Sequence, residues 1–117
     1  MDESCLFCRI VAGEIPATVV HDDERTLAFR DIEPQAPVHV LVIPKEHHPD
    51  LATLATSDPE LAADLLATMG RVAKSEGLDH YRVVFNTGAQ AGQSVFHVHG
   101  HVLGGRDMRW PRADGCP

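Results

Sequence analysis

No apolar run in the 117 residues comes near the ~20 that a membrane-spanning helix needs, so no membrane partner is expected. The opening stretch MDESCLFC is acidic and lacks a basic segment followed by a long apolar one, so it does not read as a secretory leader. Together these two absences predict a soluble, cytoplasmic protein. Positive charge is also short: ten Lys and Arg stand against 17 Asp and Glu, a formal charge of −7. A protein that grips a nucleic-acid backbone needs a basic face, so no nucleic-acid partner is expected. A small anion remains possible, because backbone amides and imidazoles bind phosphate locally. Cysteine is scarce and odd in number, with Cys5, Cys8 and Cys116, which speaks against a disulfide framework. There is no internal repeat or low-complexity segment. The length suits a single domain over residues 1–117, ending in a tail over residues 104–117.

What the chain does have is enough apolar residue, 44%, for a core, arranged in readable elements. A short helix is expected over Cys5–Ala12, stopped by Gly13 and Pro16. Strands are expected at Thr18–Asp22 and Thr26–Asp31, joined by the polar pair Asp23-Glu24, and at the β-branched run VHVLVIP, Val38–Pro44. Ser57-Asp58-Pro59-Glu60 carries a cap residue, a proline in the first turn and an acid at the positive end, which predicts a helix start. Leu61, Leu65, Leu66, Met69, Val72 and Ala73 then recur at helical spacing up to Gly77, as one long scaffold helix. Tyr81–Thr87 and Phe96–Leu103 complete the strands, with a flexible loop over Gly88–Ser94 between them. The sum is an α+β domain: a five-stranded, largely antiparallel sheet with one long helix and a short N-terminal one.

Histidine is abundant, eight residues, and six of these fall in two short stretches. In FHVHGHVLGG, His97, His99 and His101 occupy alternate positions, which on a strand places them on one face and Val98, Gly100 and Val102 on the other. Three imidazoles so placed suit either a three-histidine zinc centre or a division of labour between nucleophile, proton handler and orienting group. The preceding loop, with Gly88, Gly92, Gln93 and Ser94, offers backbone N–H groups and a hydroxyl to a bound phosphate. A neutral imidazole near pH 7 is nucleophilic toward phosphorus and yields a labile phospho-imidazole bond. Phosphoryl or nucleotidyl transfer is therefore favoured over an all-histidine zinc enzyme.

These residues resemble the histidine triad (HIT) family, whose signature His-φ-His-φ-His-φ-φ, with φ apolar, corresponds to His97–Leu103. The similarity is greatest to the nucleotide-binding, nucleoside phosphoramidase branch. It extends through EIPA (Glu14–Ala17), Leu27–His47, GQSVFHVH (Gly92–His99) and LGGRxMxWP (Leu103–Pro111), and implies a HIT-like fold. It implies hydrolysis of purine nucleoside 5′-phosphoramidates, with His99 as nucleophile, His101 on phosphate oxygen and Ser94 near the departing amine. Gln93 and Asn86 are implied on the phosphate side, and Asp31 as acceptor for the ribose hydroxyls, a task suited to a two-oxygen acceptor. Leu6, Phe7, Ile10, Phe29 and Ile32 match the walls of the base slot, although such residues also simply fill cores. His39 matches a histidine behind the triad, expected to orient His97 or the nucleophile. The resemblance also implies a homodimer, with the segment around Trp110-Pro111 reaching the neighbouring site. Dinucleoside polyphosphate hydrolysis, or a nucleotide-sensing module with little turnover, are the alternatives. Gly100 departs from the pattern, standing where a bulky apolar residue is usual, and is expected to weaken the strand and leave a gap on its back face.

Cys5 and Cys8 form a CxxC pair able to bite one metal, completed by His47 or His48 and by His97. Similarity to zinc-binding relatives of the family selects His47 over His48. The implied cofactor is a structural zinc held by Cys5, Cys8, His47 and His97. His97 is then a support residue and not part of the chemistry itself, and Cys116 is incidental.

Overall fold

The computed structural model describes residues 4–108. Their order is α1 (Leu6–Val11), β1 (Val19–Asp22), β2 (Thr26–Arg30), β3 (Val38–Pro44), α2 (Leu51–Ser57), α3 (Pro59–Ser75), β4 (Tyr81–Phe85) and β5 (Gly100–Gly104). The five strands make one fully antiparallel sheet in the order β1-β2-β3-β5-β4. The expected α+β architecture is present, with one helix more than the sequence suggested. That helix, α2, starts where the Thr53 amide donates to Asp50 Oδ1 at 2.8 Å. It stops at Asp58, whose side chain caps α3 in turn by accepting from the Leu61 amide at 3.1 Å. Only one of its seven residues, Leu54, is buried, so its apolar periodicity is too thin to read.

The sheet is covered on both faces. β3 is central and reads as a continuous apolar run because six of its seven residues are buried. Val40 and Val42 of β3 and Val102 of β5 pack under α3 with Leu61, Leu65, Met69 and Val72. Each such side chain contributes about 1.5–3 kcal/mol of burial. Leu41 and Ile43 of β3, with Leu27 and Phe29 of β2, face α1 and pack on Cys5, Phe7 and Cys8.

The last strand is shorter than expected. Phe96–His99 lie outside it, and it pairs only from Gly100, opposite Val42 and Phe85. Alternation nevertheless persists through this approach, since Val98 and Val102 sit in the α3 core. Gly100 leaves no gap. A Cβ there would lie 2.6 Å from Met69 Sδ and 2.7 Å from Phe85 Cζ. The glycine lets α3 come close to the sheet between the second and third histidines, and Met69 fills the space.

Candidate active site and metal centre

Two sites share the α1 face of the sheet and meet at His97. The first is the metal centre. α1 begins at Cys5, whose sulfur accepts from the Cys8 amide at 3.2 Å, so both thiols lie on the turn that opens the helix. Cys5 Sγ is 3.3 Å and Cys8 Sγ 3.5 Å from His97 Nδ1, and Cys8 Sγ is 3.3 Å from His47 Nδ1. All four donor atoms lie within 4.8 Å of one another. Tetrahedral zinc with ordinary bonds has sulfur–nitrogen edges of about 3.6 Å, so this set fits that ion. His97 is fully buried, and its Nε2–H donates to the Pro44 carbonyl at 2.8 Å, leaving Nδ1 as the lone-pair side facing the sulfurs. A carbonyl behind a metal-binding imidazole is the usual orienting partner. His48, the residue after His47, turns instead to Glu46 Oε1 at 2.7 Å.

The second site is the rest of the triad. His99 is 7% exposed, and its Nδ1–H donates to the His97 carbonyl at 2.9 Å. A neutral ring so bonded keeps its lone pair on Nε2. Removal from water lowers the His99 pKa, so the ring is neutral near pH 7. Phe7 stands edge-on to this ring, centroids 5.0 Å apart, and also edges His97. α1 thus anchors one wall of the site through the same turn that presents the thiols. His101 lies beside His99, ring centroids 5.1 Å apart. Burial first, then the neighbouring imidazoles, push its pKa down to about 4. Its Nε2 is buried without a hydrogen-bond partner among the described residues, a state that costs free energy unless a ligand satisfies it.

His39 differs from expectation. It orients neither His97 nor His99; its Nε2 lies 2.8 Å from His101 Nδ1 and 3.4 Å from Asp31 Oδ2. The register explains this: His39 pairs with Leu103, which makes His101 its diagonal neighbour on the same face. His97 is out of reach because its second nitrogen is taken by Pro44. Asp31 falls just past β2, where Oδ1 accepts from the Glu33 amide at 2.8 Å.

The loop before the triad is more ordered than its glycines suggested. Gly88 and Gly92, at φ +91° and +97°, flank a single 3₁₀ turn over Ala89–Ala91. The amides of Gly88, Ala91, Gly92 and Gln93 are all bonded inside the loop, so they are not the phosphate donors their sequence implied. The Gln93 side chain is buried and braced, accepting from Gly88 and donating to the Pro49 and Val95 carbonyls at 2.7 and 3.0 Å. It shapes the loop rather than reaching outward. Ser94 is exposed at the loop's end, and the half-buried Asn86 packs against Gly92. Of the expected base-slot residues, Phe7 and Phe29 are buried, Ile10 packs on their cluster, and Leu6 and Ile32 are exposed, Ile32 at 94%. Trp110, Pro111 and Cys116 lie outside the described residues.

Three contributors carry no signal in the residue pattern: the Pro44 carbonyl, the Gln35 amide behind His39, and Met69 under Gly100. The first two are backbone groups, and the third reads as ordinary core.

A HIT domain model matches residues 12–108. The chain is 51% identical to a 14 kDa zinc-binding protein of Zea mays, over 94% of this chain and 88% of that one. The structure is similar to that of a HIT family hydrolase from Legionella pneumophila, with a TM-score of 0.87 and 52% identity over 92% of this chain and 97% of that one. It is also similar to a histidine triad nucleotide-binding protein from Candida albicans, with a TM-score of 0.82 and 34% identity over 92% and 83% of the two chains.

Proposed function

The chain belongs to the HIT domain family, and from that membership we propose that it hydrolyses purine nucleoside 5′-phosphoramidates through a nucleotidyl-histidine intermediate on His99. One observation carries the reading: a buried, neutral imidazole whose Nδ1–H is committed to the His97 carbonyl, so that Nε2 keeps its lone pair. That nitrogen attacks the α-phosphorus as the phosphorus–nitrogen bond breaks, and the amine leaves with the bonding electron pair and a proton taken up from solvent water. Water then cleaves the phospho-imidazole bond and frees the nucleotide. His101 steadies the phosphoryl oxygens, with the Ser94 hydroxyl at the loop's end near the departing amine. Asp31 stands on the ribose side and Phe7 and Phe29 beside the base. The names of the similar hydrolase and nucleotide-binding structures support this assignment.

Zinc, which the donor set fits and which a similar protein is named for binding, belongs to the cluster Cys5, Cys8, His47 and His97. When bound it supplies a structural cross-link between α1 and the approach to β5. The active unit is a homodimer: β4 is an edge strand exposing Tyr81 and Val83, and Leu66 on α3 is half exposed.

The test is hydrolysis of a fluorogenic adenosine phosphoramidate by the parent and by His99→Ala. The parent turns over, and the variant loses kcat by about 10⁴-fold or more while still binding AMP. Parent-like turnover by the variant overturns the nucleophile. Nucleotide binding without turnover in the parent overturns the enzyme and leaves a sensor.

A further inference from the structure

We propose that the backbone amide of Gln35 sets the proton positions of the His39–His101 pair, so that His101 presents Nε2–H, a donor, to the substrate. The consequence for catalysis rests on the hydrolase reading above; the proton positions themselves do not.

The inference follows from hydrogen-bond direction alone. The Gln35 N–H lies 3.0 Å from His39 Nδ1, and an amide can only donate, so that nitrogen carries a lone pair. The proton of His39 must then sit on Nε2. Of the two acceptors near it, His101 Nδ1 at 2.8 Å is closer than Asp31 Oδ2 at 3.4 Å. His101 Nδ1 is therefore also an acceptor, and the proton of that ring must be on Nε2. This is the atom that is buried with no partner among the described residues. A buried donor without an acceptor is costly in the free protein and is satisfied when a phosphoryl oxygen arrives. The two neighbouring histidines are thus set oppositely: His99 offers a lone pair on Nε2, and His101 offers a hydrogen.

The amide is held for this role. Gln35 lies between Pro34 and Pro37, which restrict the turn between β2 and β3. Arg106 Nε donates to the Gln35 carbonyl at 3.1 Å, and the Gln35 side chain donates to the Glu33 carbonyl at 3.1 Å. Pro37 packs under Gly105, where a Cβ would meet it at 2.9 Å. The segment after β5 therefore clamps the turn whose amide governs a side chain within β5.

The same logic disfavours a cation on Asp31, His39 and His101, whose donor atoms also lie within 4.8 Å of one another. With the Nδ1 lone pair accepting the hydrogen bond of the Gln35 N–H, His39 could ligate through Nε2 only as an imidazolate. The group is built to place protons.

The test is the imidazole nitrogen shifts of the full, zinc-loaded chain at pH 7, labelled with nitrogen-15 at histidine. Both His39 and His101 are expected to show a protonated Nε2 and an unprotonated Nδ1. A protonated Nδ1 on either ring overturns the proposal, whether or not phosphoramidates are substrates. Gln35→Pro deletes the amide donor together with the side-chain bond to Glu33 and should move His101 toward mixed tautomers, whereas Gln35→Ala, which loses the same side-chain bond but keeps the amide, should not. If Gln35→Pro does not fold, His39→Leu and His39→Gln serve instead. His39→Leu lowers kcat by about tenfold or more with little change in KM, the scale of losing a partner that orients a reacting imidazole. His39→Gln, which restores an N–H toward His101, recovers much of that loss. Equal defects in the two variants mean that His39 acts by bulk, and the proposal fails.

Discussion

Placing a single methyl group at Gly100 tests the junction between packing and chemistry. The Cβ of Gly100→Ala would lie 2.6 Å from Met69 Sδ and 2.7 Å from Phe85 Cζ. Carbon contacts are comfortable at about 3.5–4.0 Å, so roughly 1 Å of overlap must be relieved. The end of Met69 can swing, but Phe85 is paired directly opposite Gly100 and cannot step back without moving β4. Overpacking of this kind costs about 1–3 kcal/mol, and removing a strand glycine returns about 0.5–1 kcal/mol. A net loss of up to about 2.5 kcal/mol is expected in urea unfolding. Met69→Ala alone costs about 2–5 kcal/mol through the cavity it opens. In the double variant the two errors cancel in part, and its loss should fall short of the sum by about 1 kcal/mol or more. Because Gly100 lies between His99 and His101, kcat should fall in the single variant and partly return in the double. Full stability of Gly100→Ala, with strict additivity in the double, would refute the close approach of α3.

Three further outcomes follow from the two sites. Stripping zinc with a chelator should lower Tm, since metal at 100 times its Kd adds about 2.7 kcal/mol to stability. Cys8→Ala should abolish the bound metal, while His48→Ala, whose ring turns to Glu46, keeps it. The pH dependence has a definite sign. His101 has a folded-state pKa near 4 against an ordinary value of 6.5, so the unfolded chain binds this proton first as pH falls. The stability contributed by a neutral His101 is therefore fully present above about pH 6.5 and is lost as pH falls toward 4. His101 adds no more than about 1.4 kcal/mol per pH unit to the slope, reduced by solvent around the part-exposed ring, and the other buried imidazoles, also shifted down, add to it. His101→Gln should flatten that slope in unfolding measured at several pH values across this window, and an unchanged slope would contradict the assignment.

Much of this was legible in the chain because it depends on side-chain spacing. Alternation from His97 to His101 gave the shared face even though the strand itself begins only at Gly100, since the extended approach keeps period two. The CxxC turn gave the thiol half of the metal set because thiol spacing on a helix start is a local matter, whereas the choice of His47 over His48 came from the family resemblance. Long-range placement was less accessible. His39 turned out to serve His101, a choice made by the register of β3 against β5, which no local pattern specifies. The glycine-rich loop looked like a phosphate cradle, but the N–H groups of Gly88, Ala91, Gly92 and Gln93 close on oxygens within the loop, around its tight 3₁₀ turn. Backbone partners such as the Pro44 carbonyl and the Gln35 amide carry no residue signature at all, yet they decide which nitrogen of each ring holds hydrogen.

The most direct measurement of the central claim is the stereochemical course at phosphorus. A phosphoramidate made chiral at the α-position by sulfur can be hydrolysed in isotopically labelled water and its product configuration determined. Attack by His99 followed by attack of water involves two in-line displacements and predicts overall retention. Inversion would mean that water strikes phosphorus directly and that His99 is not the nucleophile.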